Sequence, residues 1–460
     1  MKKSNLLIFL VFLAFNFVSC KRGPKSKTVT SDQKQESNKS ADDKIETIPF
    51  NIFIECSGSM DGYVSQRTSN LRNKLYKIND AIGNLDNKGV NVPLNYHFIS
   101  GQNSQKAFAF NNINSATTYI SNLSGSKFKS LTARSSSFIP EIIESSIMKS
   151  KDDISILVTD LIFSPNSETP DLKAGESKMQ NTLKRIRKSL SQERGDLSAL
   201  IIRSVSEFEG KYYIESTPEF DYKPLNRKRP FYILAFGPKK KLDLFMKELR
   251  WDAFEQSNLF YMADYNMDGD VKMQVAPPNY KKGTYTYSPS NTNISFEKEG
   301  VDGNSFAVQL FLENNSSLPD AYFNDKSNYK LSNSKWKVTD VTNEGKRRVI
   351  VTTNDFSTRP EDFTIGLSNS YLPNWVDKFS NDDDSNPKDS IQQTQTYGAK
   401  EMINGIMEGM SVNVKNEYMF SKDISFGLSG KGGMWWLIIP LLLIALGFVL
   451  FFKAKRKHNN

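Results

Sequence analysis

Residues 48–59 read IPFNIFIECSGS, and the fold turns on how that run is divided. The first eight positions, IPFNIFIE, are almost continuously apolar. That pattern marks a strand buried on both faces, as at the centre of a parallel sheet. The run stops at Glu55, and Ser57 and Ser59 follow around a glycine. A greasy strand that ends by presenting a carboxylate and two hydroxyls marks one of two things. It is either a ligand-binding edge or a polar cap for the next helix.

Working outward, Leu71, Leu75, Ile78, Ile82 and Leu85 fall on one helical stripe. VPLNYHFIS (92–100) is strand-like, SFIPEIIESSI (137–147) is a short amphipathic helix, and ISILVTDLIF (154–163) is a second buried strand. Met179, Leu183, Ile186 and Leu190 mark another helix. SALIIRSV (198–205) and PFYILAF (230–236) add strands, with GKYYIES (210–216) as a hairpin insertion between them, and a last helix runs through Leu249. Strand alternating with helix predicts a doubly wound, mainly parallel α/β sheet over 47–250. In such sheets ligands bind beyond the carboxyl ends of the strands. Glu55 and Asp160 both stand there.

On these residues the chain resembles the von Willebrand factor type A family, over a little under half of its length. The family's metal-ion-dependent adhesion site uses an Asp-x-Ser-x-Ser loop after the first strand. A threonine from a second loop and an aspartate after the fourth strand complete it. Glu55-Cys56-Ser57-Gly58-Ser59 matches the first element with glutamate for aspartate, and Thr159-Asp160 matches the last. Ser137 is the best match to the threonine, with Ser136 and Thr132 as rivals. The resemblance therefore implies a metal set of Glu55, Ser57, Ser59, Ser137 and Asp160 holding Mg²⁺ or Mn²⁺. One coordination position would stay open for an acid from a partner protein. A hard cation of this kind takes oxygen ligands at roughly 2.1 Å in an octahedron, and the extra methylene of Glu55 bears on that geometry. Cys56, inside the loop, is expected to be a buried structural thiol; a disulfide to Cys20 is the alternative.

The two ends place the protein. MKKSNLLIFLVFLAFNFVSC (1–20) has a basic start, an apolar run and small residues, the layout of a secretory signal. It resembles a bacterial lipoprotein leader, which implies lipidation at Cys20. Residues 21–46 carry almost no large apolar side chain and form a tether. MWWLIIPLLLIALGFVLFF (434–452) is free of charge and about 28 Å long as a helix, enough to cross a bilayer core. Trp435 and Trp436 sit at one interface, and the basic tail KAKRKHNN (453–460) marks the cytoplasmic side. The body is thus expected in the periplasm, on a single-pass inner-membrane anchor.

Charge and composition agree. The net charge is +9 and the mean hydropathy −0.50. Lys2, Lys3, Lys453, Lys455, Arg456 and Lys457 carry much of that surplus, leaving 54 basic against 51 acidic residues. A nucleic-acid footprint would cluster on the folded part, so no nucleic acid is expected. Of two histidines only His97 lies in the body, which excludes a multi-histidine zinc site and disfavours a Ser-His-Asp hydrolase.

From 257 to 395 the texture changes to short strands: YTYS, ISFE, FAVQLFLE, WKVTDV, RRVIVTT and FTIGL, separated by Asn, Ser, Gly and Asp. They predict an antiparallel β-sandwich. DYNMDGD (264–270) imitates an EF-hand start, but Val275 replaces the terminal glutamate, so it reads as an acidic turn. FSNDDDSNPKDS (379–390) reads as a surface loop. In 396–433 Met402, Ile403, Ile406, Met407 and Met410 form a helical stripe, expected to dock on the body or, alternatively, to take a partner. SGKGG (429–433) is the flexible join to the membrane helix.

These features point to a membrane-anchored, extracytoplasmic A-domain protein that binds another protein of the cell envelope and is no enzyme. The rival is a structural subunit of an envelope complex whose A-domain has lost its metal. A metal-dependent hydrolase using Glu55, Asp61 and Asp160 is the enzyme alternative, and it lacks a histidine base.

Overall fold

The opening strand forms where its pattern places it: β1 (Phe50–Glu55) is buried at every position. Each buried Phe or Ile contributes about 1.5–3 kcal/mol, enough to make this strand the axis of the sheet. The computed structural model describes residues 47–428, except 101–104, 133–138, 150, 165–180, 182–183, 189, 191–196, 217–220, 264–266, 268, 278–284, 288–292, 297–304, 344, 357–360, 370–371 and 413–416. The leader with Cys20, the tether, Ser136, Ser137, Met179, Leu183, the 434–452 segment and the basic tail lie outside the described residues. Among the described residues no helix is long and apolar enough to cross a membrane.

β1 pairs in parallel with β2 (Leu94–Ile99) on one side. β3 (Gln105–Phe110) lies antiparallel beyond β2, and β4 (Ile154–Thr159) pairs in parallel with β1 on its other side. The sheet continues with β6 (Asp221–Pro238), β5 (Leu197–Ile214) and β7 (Asn258–Met262), giving the order β3-β2-β1-β4-β6-β5-β7. Helices α1 (Asn70–Asn87), α2 (Ile113–Ser121), α3 (Gly125–Leu131), α4 (Ile139–Lys149) and α5 (Lys239–Glu248) are interleaved with these strands. The predicted stripe of α1 is buried throughout: Leu71, Leu75, Ile78, Ile82 and Leu85.

One expectation is corrected here. The sheet is not mainly parallel outside its centre: SALIIRSV and PFYILAF are neighbours that run antiparallel. They belong to a single hairpin whose two arms, β5 and β6, pair antiparallel over eighteen residues each. β4 therefore meets an antiparallel neighbour, with Thr159 opposite Tyr232. Parallel pairing is confined to the β2-β1-β4 centre. Local apolar pattern fixes that a run is a strand, but not the direction of its neighbour. GKYYIES is the outer part of the same hairpin, which runs past the carboxyl ends of β1 and β4.

The second half packs two sheets face to face. One holds β12 (Tyr329–Leu331), β15 (Phe363–Ser368), β18 (Tyr418–Leu428), β10 (Asn293–Phe296) and β9 (Tyr285–Tyr287), in that order. The other holds β13 (Lys337–Thr342), β14 (Arg347–Thr353), β11 (Phe306–Asn314) and β8 (Val271–Val275). Their core is aromatic: Phe306 stacks on Phe356 at 4.1 Å, and Trp336 on Phe426 at 5.2 Å. Pairing is antiparallel apart from β10 with β18. The acidic 264–270 stretch closes as a turn at its described residues, with the Asp270 N–H on the Met267 carbonyl.

Between β15 and β18 the chain leaves the sandwich and returns to the α/β body. Short α6 (Asp320–Asn324) precedes this excursion, which runs through α7 (Asn374–Phe379), the two-residue strands β16 (Ser380–Asn381) and β17 (Thr396–Tyr397), and α8 (Ala399–Ser411). The methionine stripe of α8 is turned inward, with Met402, Ile403, Ile406 and Met410 buried. Docking on the body is the outcome: a Cβ at Gly409 would stand 2.7 Å from Leu190 Cβ. The 379–390 stretch is a surface loop as expected, with one departure: Asp384 within it is 2% exposed.

Candidate functional site

β1 lies between β2 and β4, so the order of connections reverses beside it, and the carboxyl ends of β1 and β4 flank the crevice where open α/β sheets place ligands. Glu55 ends β1 and is buried; Thr159 ends β4, and Thr159 and Asp160 are buried with it. The Thr159 hydroxyl donates to Glu55 Oε2 and accepts the Leu161 N–H at 2.8 Å. Leu161 has φ 55°, a left-handed backbone that costs a branched side chain on the order of 1–2 kcal/mol. That turn brings the Ile162 N–H onto Asp160 Oδ1 at 3.2 Å. Strained backbone held by buried hydrogen bonds is a mark of functional or once-functional sites.

On the first loop the Ser57 and Ser59 hydroxyls hydrogen-bond each other at 2.9 Å. Burial raises the Asp160 carboxyl above its ordinary range, partly offset by the nearby Ser59 hydroxyl, the Ile162 N–H and the Arg229 guanidinium. Its Oδ2 makes no hydrogen bond of good geometry among the described residues, although Ser59 lies close enough to favour the charged form. Four of the five residues implied by the resemblance thus gather at one edge: Glu55, Ser57, Ser59 and Asp160. Ser137 lies outside the described residues. Its rival Thr132 is turned back onto the Phe128 carbonyl at 3.5 Å, at the end of α3.

The serine loop does not cap α1 either: Ser69 stands at that N-cap, and the first N–H groups go to Glu207 and Ser206 of the hairpin. Cys56 is buried, its thiol on the Ile54 carbonyl at 3.5 Å. His97 sits inside the sheet, stacked on Phe53 at 4.5 Å and bonded to Asn51 and Gln105, remote in role from the edge.

The edge is roofed. Tyr63, in the turn Ser59–Tyr63, donates to the Pro230 carbonyl at 2.5 Å. A Cβ at Gly62 would lie 2.4 Å from the Phe208 ring, one at Gly210 would lie 2.8 Å from Gly62 Cα, and one at Gly58 would lie 2.8 Å from the Tyr213 ring. The β5–β6 hairpin therefore lies directly on the serine loop, at distances only glycine permits. Arg229 is buried beside Asp160, and Arg203 is buried next to Arg229. Arg229 lies over the Tyr212 ring at 4.3 Å, and Arg203 over Phe379 at 3.6 Å. Burial pushes the Tyr63 and Tyr212 hydroxyls well above their ordinary range, and the Asp160 charge adds to both.

The described members of the donor set are already engaged with protein groups. The Glu55 carboxylate is engaged by Thr159, the two serines by each other, and the positive charge that Asp160 feels comes from Arg229. Among the described residues no three His, Cys, Asp or Glu side chains are grouped, so any cation here would depend on the serine hydroxyls. The orphaned Asp160 Oδ2 is the feature most favourable to an added ligand, and it is one atom. Arg203, Arg229, Tyr212 and Asp384 were not foreseen. A signal existed for Arg203 alone: it interrupts the apolar run SALIIRSV, and a charge in a buried run demands a partner.

No family model and no curated protein matches this chain. Among solved structures it is similar to the conserved hypothetical protein BatB from Bacteroides thetaiotaomicron, at 15% identity over 39% of this chain and 81% of that one, with a TM-score of 0.19. It is also similar to an aerotolerance-related membrane protein from Bacteroides fragilis, at 14% identity over 44% and 87%, with a TM-score of 0.19. Likenesses of that strength carry no argument about this chain.

Proposed function

We propose that this chain is a non-catalytic, protein-binding component of a bacterial cell envelope, built on a von Willebrand factor type A-like body that works without a metal ion. The observation that carries the metal-free part is the pairing of Thr159 with Glu55 under a roof of Tyr63 and the β5–β6 hairpin. An adhesion site offers a cation with one open position; this edge offers hydroxyls and carboxylates already bonded, with guanidinium charge in place of the cation. A hydrolytic reading is weaker for a related reason. A metal-activated water needs an open coordination site, and here Glu55 and the two serines are bonded to protein groups.

The envelope setting rests on the sequence: a leader that resembles a lipoprotein signal with Cys20 as acceptor, and the apolar 434–452 run with its basic flank. The body then faces the periplasm and the tail the cytoplasm. Protease added to spheroplasts should digest the body and spare an epitope placed after Asn460; loss of that epitope in intact spheroplasts overturns the topology. Mass analysis of the N-terminal peptide should find diacylglycerol on Cys20.

A further inference from the structure

The loop between β16 and β17 is closed at its neck. Ser380 and Asn381 pair with Thr396 and Tyr397, and the Gly398 N–H returns to the Asn381 carbonyl at 3.1 Å. Loops with joined ends that pack as a unit over the surface are often functional. This one lies across the β5–β6 hairpin beside Asp160, and its contacts there are mainly polar. Asp384 is the anchor: it accepts the Tyr212 hydroxyl at 2.8 Å and the Glu215 and Ser216 N–H groups at 3.1 and 2.9 Å. The arginines beneath hold the loop's main chain rather than its side chains. Arg229 donates to the Gln392 and Gln395 carbonyls at 3.2 and 3.4 Å, and Arg203 to the Thr394 carbonyl.

Little apolar surface secures the loop. Ile391 is 65% exposed, and of the residues from 382 to 395 only Asp384 and Pro387 are buried. The apolar anchors stand outside the neck, at Trp375 and Val376 of α7 and along α8. Lifting the loop would leave both helices seated. It would uncover two arginines, each with an Nε that lacks a hydrogen-bond partner among the described residues, and the Tyr212 hydroxyl.

We infer that the surface under this loop is a binding site for an acidic segment of another protein, and that residues 382–395 occupy it in cis as a displaceable stand-in. The chemistry of the occupant defines the ligand. The loop carries Asp382, Asp383, Asp384 and Asp389 against one lysine, Lys388, and it presents a carboxylate and bare carbonyls to the hairpin. Arg203 and Arg229 read the carbonyls of Gln392, Thr394 and Gln395, so the occupant's main chain turns there, as residues 392–394 do in a single 3-10 turn. The Tyr212 hydroxyl with the Glu215 and Ser216 N–H groups imposes one aspartate at a fixed place. This rests on the protein-binding reading above, but not on the metal, the membrane or the identity of the partner.

The test uses the purified full-length chain in detergent and a fluorescein-labelled peptide with the sequence of residues 380–397. Wild type, with its own loop seated, should bind the peptide weakly. Asp384→Asn should bind it at least tenfold more tightly, because the cis loop has lost its anchor while the labelled peptide retains it. Adding Arg229→Gln to that variant should lower the affinity at least tenfold again. Should Asp384→Asn fail to fold, a protease recognition sequence inserted after exposed Ser385 opens the loop after folding, and the cut chain replaces the variant. Equal peptide binding by wild type and the opened chain overturns the inference, as does a folded, opened chain that binds no peptide. Binding that ignores Arg229→Gln overturns it as well.

Discussion

The Thr159 hydroxyl bonds the Glu55 carboxylate across the β1–β4 pair and takes the Leu161 N–H at 2.8 Å, so one oxygen ties two strand ends and a left-handed turn together. Thr159→Val keeps the shape and removes that oxygen. It leaves a buried carboxylate and a buried N–H each short of a partner, at about 1–3 kcal/mol apiece before relaxation. Urea unfolding of the purified protein should show a loss of about 2 kcal/mol or more. A loss below about 0.5 kcal/mol would mean that Glu55 is satisfied from elsewhere and the tie is incidental.

The same bonds set the response to divalent ions. A ligand at a hundredfold excess over its dissociation constant stabilises the folded state by about 2.7 kcal/mol, which a melt resolves easily. The protein should melt at one temperature in millimolar Mg²⁺, in millimolar Mn²⁺ and in EDTA. Asp160→Asn should also be tolerated at neutral pH, within about 1 kcal/mol, because it removes a charge that burial already disfavours. A metal-dependent shift that disappears in Asp160→Asn would restore the adhesion-site reading.

Close approach of backbone makes a third point. Gly62 and Gly210 face each other where the hairpin crosses the serine loop, and neither has room for a methyl group: the added Cβ would sit 2.4 Å from Phe208 or 2.8 Å from Gly62 Cα. Gly62→Ala and Gly210→Ala should each destabilise by about 1–3 kcal/mol through overpacking. Gly269, where an added Cβ would meet nothing within 4 Å, is the control, and Gly269→Ala should fall within about 0.5 kcal/mol of wild type. If all three behave alike, the hairpin does not press on the loop.

How much of this was legible in the sequence depends on the range of the interaction. The strands at 50–55, 94–99 and 154–159 and the helix at 70–87 follow from local periodicity, and so does the convergence of Glu55 and Asp160 at one edge. The direction of β6 does not, because residues 230–236 read as the same apolar run whether the neighbour is parallel or antiparallel. The burial of Asp384 was hidden in a stretch whose composition is that of a solvated loop. Its partners, Tyr212 and the Glu215 N–H, lie about 170 residues away in sequence, and no window of local pattern reaches that far. The glutamate at position 55 was visible from the start. Its consequence became clear only with Thr159 placed against it.

The last prediction concerns pH. Glu215 is half-buried beside Asp384 and Asp160, with the Ser164 hydroxyl as a compensating donor. Its carboxyl is pushed up to about 7, chiefly by burial and then by those two carboxylates. Tyr397 from the neck of the loop also feels it, and burial with the charges of Asp384 and Glu215 raises that hydroxyl to about 12. A carboxyl raised in the folded state holds its proton there after the unfolded chain has released it. Its contribution to stability is therefore complete below the ordinary glutamate range near 4.5 and is lost as pH rises through 7. The raised Asp160 acts with the same sign. The protein should thus be more stable at pH 5.5 than at pH 8, and the loop between Ser385 and Ile391 should be cut faster by an added protease at the higher pH. Glu215→Gln keeps the size and removes the titration, so it should flatten both dependences and protect the loop at pH 8. A wild-type melt that rises from pH 5.5 to 8, or a Glu215→Gln chain with the wild-type slope, would place the controlling group elsewhere than under this loop.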